Sequence, residues 1–409
     1  MTYPIRPIRE AEWPAFAGVL EEGFGMTPHP SQDARWKAGT EFDRTLAAFD
    51  GDTIAGVTSV FSLSMTVPGG ALPVAGVTAV SVLPSHRRRG ILSSLMRRQL
   101  ADVRERGESV AALYASEAVI YGRYGYGRAS ANLSFRMRTQ GTEFVAGAPH
   151  DPSLRLRVVK PAEARGDYEQ VFAAVAGLRP GRYLRKASFW DDVLADGEAD
   201  QQGAGALRSV VAEDDGGVRG YALFRIKPSW DANGVPDGEL SLRELEAVDP
   251  AAYALLWRSV LDRDLVSQVH AVSRPVDDPI VALLADPRQL RAGWYDELWV
   301  RLVEVDRALA ARAYSAPVDV VIGVEDAVCP WNARRWRLSA DATGAECKPV
   351  DDEPDVSLPV TALGSAYLGD GLLAAQLGAG LVREHTPGTV RSLAAAMAWD
   401  PKPWAGLTF

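Results

Sequence analysis

VTAVSVLPSHRRRGIL, residues 77–92, closes a β-rich run at Pro84, crosses a short basic loop and opens a helix. Ile91, Leu92, Leu95, Met96, Leu100 and Val103 recur at helical spacing, while Arg97, Arg98, Arg104 and Arg106 fall elsewhere. That pattern predicts an amphipathic helix stopped near Gly107. A strand followed by a glycine-containing loop and a helix aims unpaired backbone N–H groups and a helix dipole at one point, a geometry that binds phosphate. Arg87, Arg88 and Arg89 add charge able to pair with phosphate oxygens, and Gly90 lets the backbone come close. Three arginines at a helix N-terminus oppose its dipole and need an anion to explain them. Without one they are a basic helix start facing solvent.

Outward from this loop, strands and helices alternate from Tyr3 to about Met137. IRPIR reads as a short strand, and Glu10 to Glu22 as a helix with Trp13, Phe16, Val19 and Leu20 on its apolar side. RTLAAFD and GDTIAGVTSVFSLSMTV read as antiparallel strands around the Asp50-Gly51-Asp52 turn. VAALYAS is a buried-strand candidate, and EAVIYGRYGYG a short helix that breaks on glycines. Turn residues cluster in GTEFVAGAPHDP, a plausible linker over Gly141 to Pro152. A second unit mixes strands (LRLRVV, RSVVAED, GVRGYALFRIK) with helices such as AAYALLWRSVLDRDL, and echoes the first in element order. A third begins near LWVRLVEVDRALAARAY, continues with PVDVVIGVED and NARRWRLSAD, and ends in a helix over TVRSLAAAMAW. Pro401 and Pro403 keep PKPWAGLTF from extending that helix. DDEPD, Asp351 to Asp355, reads as a solvated turn.

Composition narrows the function. The chain has 409 residues, enough for two to three domains, and 47% hydrophobic with 24% charged residues is an ordinary globular balance. A formal charge of -9 argues against nucleic acid as a partner. Two cysteines, Cys329 and Cys347, are too few for a disulfide framework or a cysteine-built zinc site, which fits a reducing compartment. His29, His86, His150, His270 and His385 lie far apart with no HExxH or HxH spacing, so no metal is implied. GxSxG and GxxxxGK[ST] are missing as well. The first residues lack a signal-peptide core, no apolar run reaches a membrane span, and a cytoplasmic location is expected.

Arg87-Arg88-Arg89-Gly90-Ile91-Leu92 resembles the acetyl-CoA loop of GNAT N-acetyltransferases, Arg/Gln-x-x-Gly-x-Gly/Ala, with Leu92 at the usual small-residue position. SHRRRGIL together with ALYASEAVIYGRYGYG is similar to the Eis (enhanced intracellular survival) family of GNAT enzymes, whose loop ends in bulky apolar residues. The resemblance covers the whole chain. It implies an α/β (α+β) fold: a catalytic GNAT domain over 1–145, a second GNAT-like domain over 146–294 and a sterol-carrier-protein-like domain over 295–409. The second has no arginine-glycine loop at the equivalent place, ELEAVDPAAYALL, and is expected not to bind the cofactor.

What the resemblance implies for the site can be carried over residue by residue. Val80, Ser81 and Val82 would bond the pantetheine arm of acetyl-CoA through their backbone, and the Val80 and Val82 side chains are simply core. Arg88, Arg89, Gly90, Ile91, Leu92 and Ser93 would wrap its pyrophosphate, with Ser116 and Glu117 lining the same site. Tyr121 would be the general acid for the departing thiolate, since a phenol stays protonated at neutral pH. Tyr124 and Tyr126 compete, and spacing to Gly125 favours Tyr121. The base would be the α-carboxylate of Phe409, which burial makes more basic and an aromatic side chain anchors. Read alone, that end would be a frayed tail. Trp13, Phe24 and Trp36 match aromatics that line the acceptor pocket, although as isolated residues they would be core. Relatives that prefer polycationic aminoglycosides carry acids where this chain has Met26 and Thr408.

The expected activity is acetyl-CoA-dependent N-acetylation of a small-molecule amine, of aminoglycoside, polyamine or lysine type, by direct attack on the thioester. The family assembles as hexamers, so a homo-oligomer is expected. The alternatives are a non-catalytic GNAT-like binding protein and a lipid-binding module of sterol-carrier type.

Overall fold

The computed structural model describes residues 3–409. The first part of the chain forms β1 (Ile5–Arg6), α1 (Trp13–Phe24), α2 (Pro30–Gly39), β2 (Leu46–Asp50), β3 (Thr53–Val67), β4 (Gly70–Val82), α3 (Ile91–Glu105), β5 (Val110–Tyr114), α4 (Ala118–Tyr121) and β6 (Gly127–Arg128). Their sheet runs β1-β2-β3-β4-β5, then the strand Leu298–Leu302, then β6. The apolar stripe of α3 (Ile91, Leu95, Met96, Leu100, Val103) is buried, and Met96, Leu100 and Val103 pack with Val60, Ala75 and Val77 of the sheet. Each such side chain contributes roughly 1.5–3 kcal/mol relative to exposure. Trp13, Phe16, Ala17 and Val19 of α1 pack with Ala47, Ile54 and Val57 in a separate cluster.

The chain folds as two compact units. One contains the residues to Ser130, Pro180–Tyr183 and Glu297–Phe409; the other contains Ala131–Arg179 and Leu184–Asp296. Pro180–Tyr183 leaves its neighbours for the first unit, the stretch from Gly141 to Pro152 expected as a linker lies inside the second, and two strands also depart from a linear reading. Ala131–Arg138, which the sequence pattern joins to the first unit, pairs with Val266–Pro275 and Gly293–Asp296 in the second sheet. Leu298–Leu302, which reads as the start of the third, pairs antiparallel with β5 and β6 in the first. Both strands are short, one half apolar and the other apolar but for Arg301. Local pattern therefore fixes that they are strands and leaves their partners open.

In the second unit the sheet order is Gly293–Asp296, Ala131–Arg138, Val266–Pro275, Gly238–Ala247, Gly217–Lys227, Arg208–Asp214, Arg155–Val159. The helix Pro250–Leu261 buries Leu256, Trp257 and Val260 in its core. Within the first unit, residues after Leu302 build a further sheet in the order Gly344–Pro349, Arg335–Asp341, Val318–Glu325, Val356–Pro359, Arg383–Glu384. A buried pair ties that part to the Leu298–Leu302 strand: Arg301 Nη2 donates to Asp326 Oδ2 at 2.6 Å. Among the described residues no helix is long and apolar enough to cross a membrane.

Candidate active site

The site begins where β4 and β5 part. β4 pairs with β3 along its whole length, but with β5 only at Ala75–Ala111 and Gly76–Ala112. Among the described residues, its β5-side edge from Val77 onward carries no ladder. A bulge lies in the same stretch: Val57 faces Ser81 and Ser59 faces Thr78, so Thr58 stands opposite both Ala79 and Val80. Ala79 takes a left-handed φ of 54°, which re-aims the strand. Val80 and Val82 lean on the apolar clusters around α3, and Ser81 Oγ donates to Val19 O at 3.0 Å, fixing α1 against β4. The side chains of this segment are thus committed to packing, while its backbone edge is open.

At the end of β4 the chain turns into α3 through the basic loop. Arg88 has φ 62° and Gly90 φ 81°, and the latter caps α3, with no side chain among the described residues serving its N-terminal amides. The first amide bonded into this turn is Ser94 N–H, to Gly90 O at 3.0 Å, so those of Ile91, Leu92 and Ser93 project from the helix end. Arg87, Arg88 and Arg89 are exposed around them. The corresponding helix of the second unit differs in one decisive atom set. There the Asp249 carboxylate accepts from Ala251 N–H and Ala252 N–H, both at 2.9 Å, and already holds a negative charge where an anion would sit.

Beyond β5 the chain passes exposed Ser116 and Glu117 and enters α4. Tyr121 is 6% exposed, in the α3-side cluster with Val77, Tyr124 and Tyr126. Burial, then the nearby Glu117 and Tyr124, pushes its phenol up to about 12. Its two rivals differ: Tyr124 Oη lies 3.1 Å from Ser93 Oγ, and Tyr126 is wholly buried with its ring edge-on to Tyr121.

The end of the sequence is well held. Phe409 sits edge-to-face against Tyr183, Tyr114 and Phe61, with centroids at 5.1, 5.2 and 6.3 Å. Its ring also lies over Gly76, where an added Cβ would come within 3.1 Å of Cε2. Thr78 Oγ1 donates to Phe409 O at 3.4 Å. Gly76 and Thr78 alternate with Val77, so Phe409 and Tyr121 occupy opposite faces of β4 at the point where β5 departs. Tyr183 reaches this position because Pro180–Tyr183 pairs with the end of β3, through Gly181 N–H to Thr66 O and Thr66 N–H to Arg182 O, each 2.8 Å.

The acceptor aromatics separate. Trp13 is 5% exposed, stacked on Phe16 and edge-on to Phe42, with its indole N–H donated to Asp33 Oδ1 at 2.9 Å. It packs as core and pins α2 to the first turn of α1. Phe24 and Trp36 remain 45% and 39% exposed, as does Met26 at 39%.

Comparison with known proteins is consistent along the full length. Residues 4–129 and 181–302 each match the profile of an acetyltransferase (GNAT) domain, and 305–406 that of a sterol carrier protein domain. Over 407 residues, 99% of each chain, it is 43% identical to an uncharacterized N-acetyltransferase of Streptomyces avermitilis. Over 411 residues, 98% of each chain, it is 31% identical to the N-acetyltransferase Eis of Mycobacterium tuberculosis. The chain belongs to the Eis family of GNAT N-acetyltransferases. The crystal structure of Eis1 from Mycobacterium abscessus superposes with a TM-score of 0.85 at 33% identity, covering 99% of this chain and 100% of that one.

As an Eis-type N-acetyltransferase, the protein gathers most of the expected residues around one gap in one sheet. Val80 to Val82, the loop from Arg88 to Ser93, Tyr121 and Phe409 all border the parted β4–β5 edge or the helix that follows it. Tyr114, Tyr183, Gly76 and Thr78 were not singled out from sequence. Gly76, interrupting the β-rich ALPVAGVTAV, was a readable signal, because a lone glycine in a strand marks a close approach.

Proposed function

We propose that this enzyme transfers an acetyl group from acetyl-CoA to a small-molecule amine, with the Phe409 α-carboxylate as general base and Tyr121 as general acid. The observation that carries the reading is the open β4 edge, with Phe409 over one face of the strand and Tyr121 on the other. Acetyl-CoA, when bound, supplies the acetyl thioester. Arg88, Arg89 and the free amides of Ile91, Leu92 and Ser93 would hold its pyrophosphate, by charge and by the helix dipole. The backbone of Val80, Ser81 and Val82 would take its amide arm as a strand takes a neighbour. Ser116 and Glu117 flank the same opening.

The Phe409 carboxylate removes a proton from the acceptor amine, directly or through one water. Tyr121, with a phenol near 12, keeps its proton at neutral pH and delivers it to the departing sulfur. The second GNAT domain takes no part, because Asp249 fills the anion position of its helix.

Phe24, Met26 and Trp36 present apolar and aromatic surface to the acceptor, which suits an amine carried on an apolar body through cation–π contact. The test is thiol release from acetyl-CoA across such amines, polyamines, aminoglycosides and lysine peptides. Turnover with at least one class is expected, and acetyl-CoA binding without turnover on any of them would refute the reading.

A further inference from the structure

The last eleven residues, from Trp399, form no helix or strand, yet Trp404 to Leu407 and Phe409 are each held by a hydrogen bond or ring contact. Trp404 N–H donates to Pro180 O at 2.9 Å, and Leu407 O accepts from Tyr114 Oη at 2.6 Å. Between these two anchors stands Glu297, 3% exposed, at the entrance of the Leu298–Leu302 strand. Its Oε2 accepts from Ala405 N–H at 3.1 Å and from Ser130 Oγ at 2.7 Å; its Oε1 accepts from Gly406 N–H at 3.0 Å. Leu298 pairs with Tyr114 across the sheet, so the two groups that grip the tail sit on neighbouring strands at the same end.

We propose that Glu297 is a positioning residue for catalysis: its carboxylate clamps the amides of Ala405 and Gly406 and thereby sets where Phe409 lies. The proposal rests on the reading of Phe409 as base. A general base works only within hydrogen-bond reach of its proton, and a terminal carboxylate on an irregular tail has no element of its own to hold it there. A carboxylate offers only acceptors and can serve two successive N–H groups and a hydroxyl together. An amide in its place turns an NH₂ toward at least one donor. The role therefore demands Glu and not merely a side chain of its size.

The experiment compares the full-length wild type, Glu297→Gln, and the wild type with one Gly appended after Phe409. Steady-state acetylation is read beside amide hydrogen exchange over residues 398–409. Glu297→Gln is expected to lower kcat about 10²-fold, the scale of an ångström-sized misplacement. The KM for acetyl-CoA should stay within about twofold, because the loop that binds it is untouched. Exchange at Ala405 and Gly406 should accelerate about tenfold or more as their local opening free energy falls. The appended Gly is expected to lower kcat while leaving exchange at those two amides as in the wild type.

Wild-type exchange in Glu297→Gln overturns the clamp. Accelerated exchange with unchanged kcat overturns its catalytic role. Full activity with the appended Gly defeats the Phe409 reading instead, and the clamp then stands or falls on exchange alone. Should Glu297→Gln not fold, the wild type decides: Ala405 and Gly406 amides exchanging as fast as in a free peptide overturn the proposal.

Discussion

Appending a residue to Phe409 tests the base more sharply than any side-chain substitution. The new peptide bond turns the α-carboxylate into a neutral amide and moves the nearest negative charge by about 3.5 Å. The anchors upstream are unaffected: Glu297 still holds Ala405 and Gly406, Tyr114 still holds Leu407 O, and the ring still lies among Phe61, Tyr114 and Tyr183. What is lost is the proton acceptor, worth roughly 10²–10⁴ in rate for a positioned general base. Phe409→Leu makes the complementary change. It keeps the carboxylate and gives up three edge-to-face contacts worth about 0.5–1.5 kcal/mol each, but the leucine retains part of the apolar packing, so kcat should fall toward the low end of their sum, roughly tenfold, and remain above the extended chain. The assay is acetyl-CoA thiol release at saturating amine, with acetyl-CoA affinity measured separately by calorimetry. Affinity should hold near the wild-type value in both variants, since neither change touches the α3 loop, which begins beyond Val82 and past the Gly76–Thr78 stretch that Phe409 contacts. An extended chain with full kcat would refute the reasoning, and Glu117 or an ordered water would have to serve as base.

Three further outcomes follow from the same geometry. Replacing Arg88 and Arg89 together by Ala should raise the acetyl-CoA KM by a hundredfold or more, at ~1.5–3 kcal/mol per charge-assisted bond, with kcat little changed; an unaltered KM removes the loop from binding. Because burial raises the Tyr121 phenol to about 12, its proton is retained as pH rises through the ordinary tyrosine range. The kcat profile should therefore stay flat across about pH 9–10.5, whereas Tyr121→Phe should be at least ~10²-fold slower throughout; a limb centred near 10 would mean an ordinary, exposed phenol is the acid. Met26→Glu places a negative charge two residues after Phe24 and should raise kcat/KM for polycationic amines about two- to fivefold, the worth of an exposed pair, with no gain for monoamines. An equal gain for both would remove Met26 from acceptor selection.

The parts of this molecule legible in its sequence are those whose cause is local. The stripe from Ile91 to Val103, the turn at Asp50-Gly51-Asp52 and the glycine-broken helix at Tyr121 form where periodicity and turn chemistry put them. The same stripe logic also explains Trp13. It shares a face with Phe16 and Val19, and that face is buried, so its pairing with Phe24 and Trp36 came from resemblance and not from pattern. The bulge at Ala79 had no glycine to announce it, and an alanine at φ 54° is held there only by the strands on which it sits. Nor could pattern assign Leu298–Leu302 to the first sheet, because a short, mostly apolar strand fits the interior of any sheet. Glu297 is the instructive case. In sequence it is one more acid ahead of an apolar strand, the ordinary polar flank of any β-element. Only when that strand is inserted beside β5, and the tail returns from more than a hundred positions away, does its carboxylate meet Ala405 and Gly406. A residue whose partners are a strand insertion and a tail has no local signature, and the role proposed for Phe409 would need both to have formed.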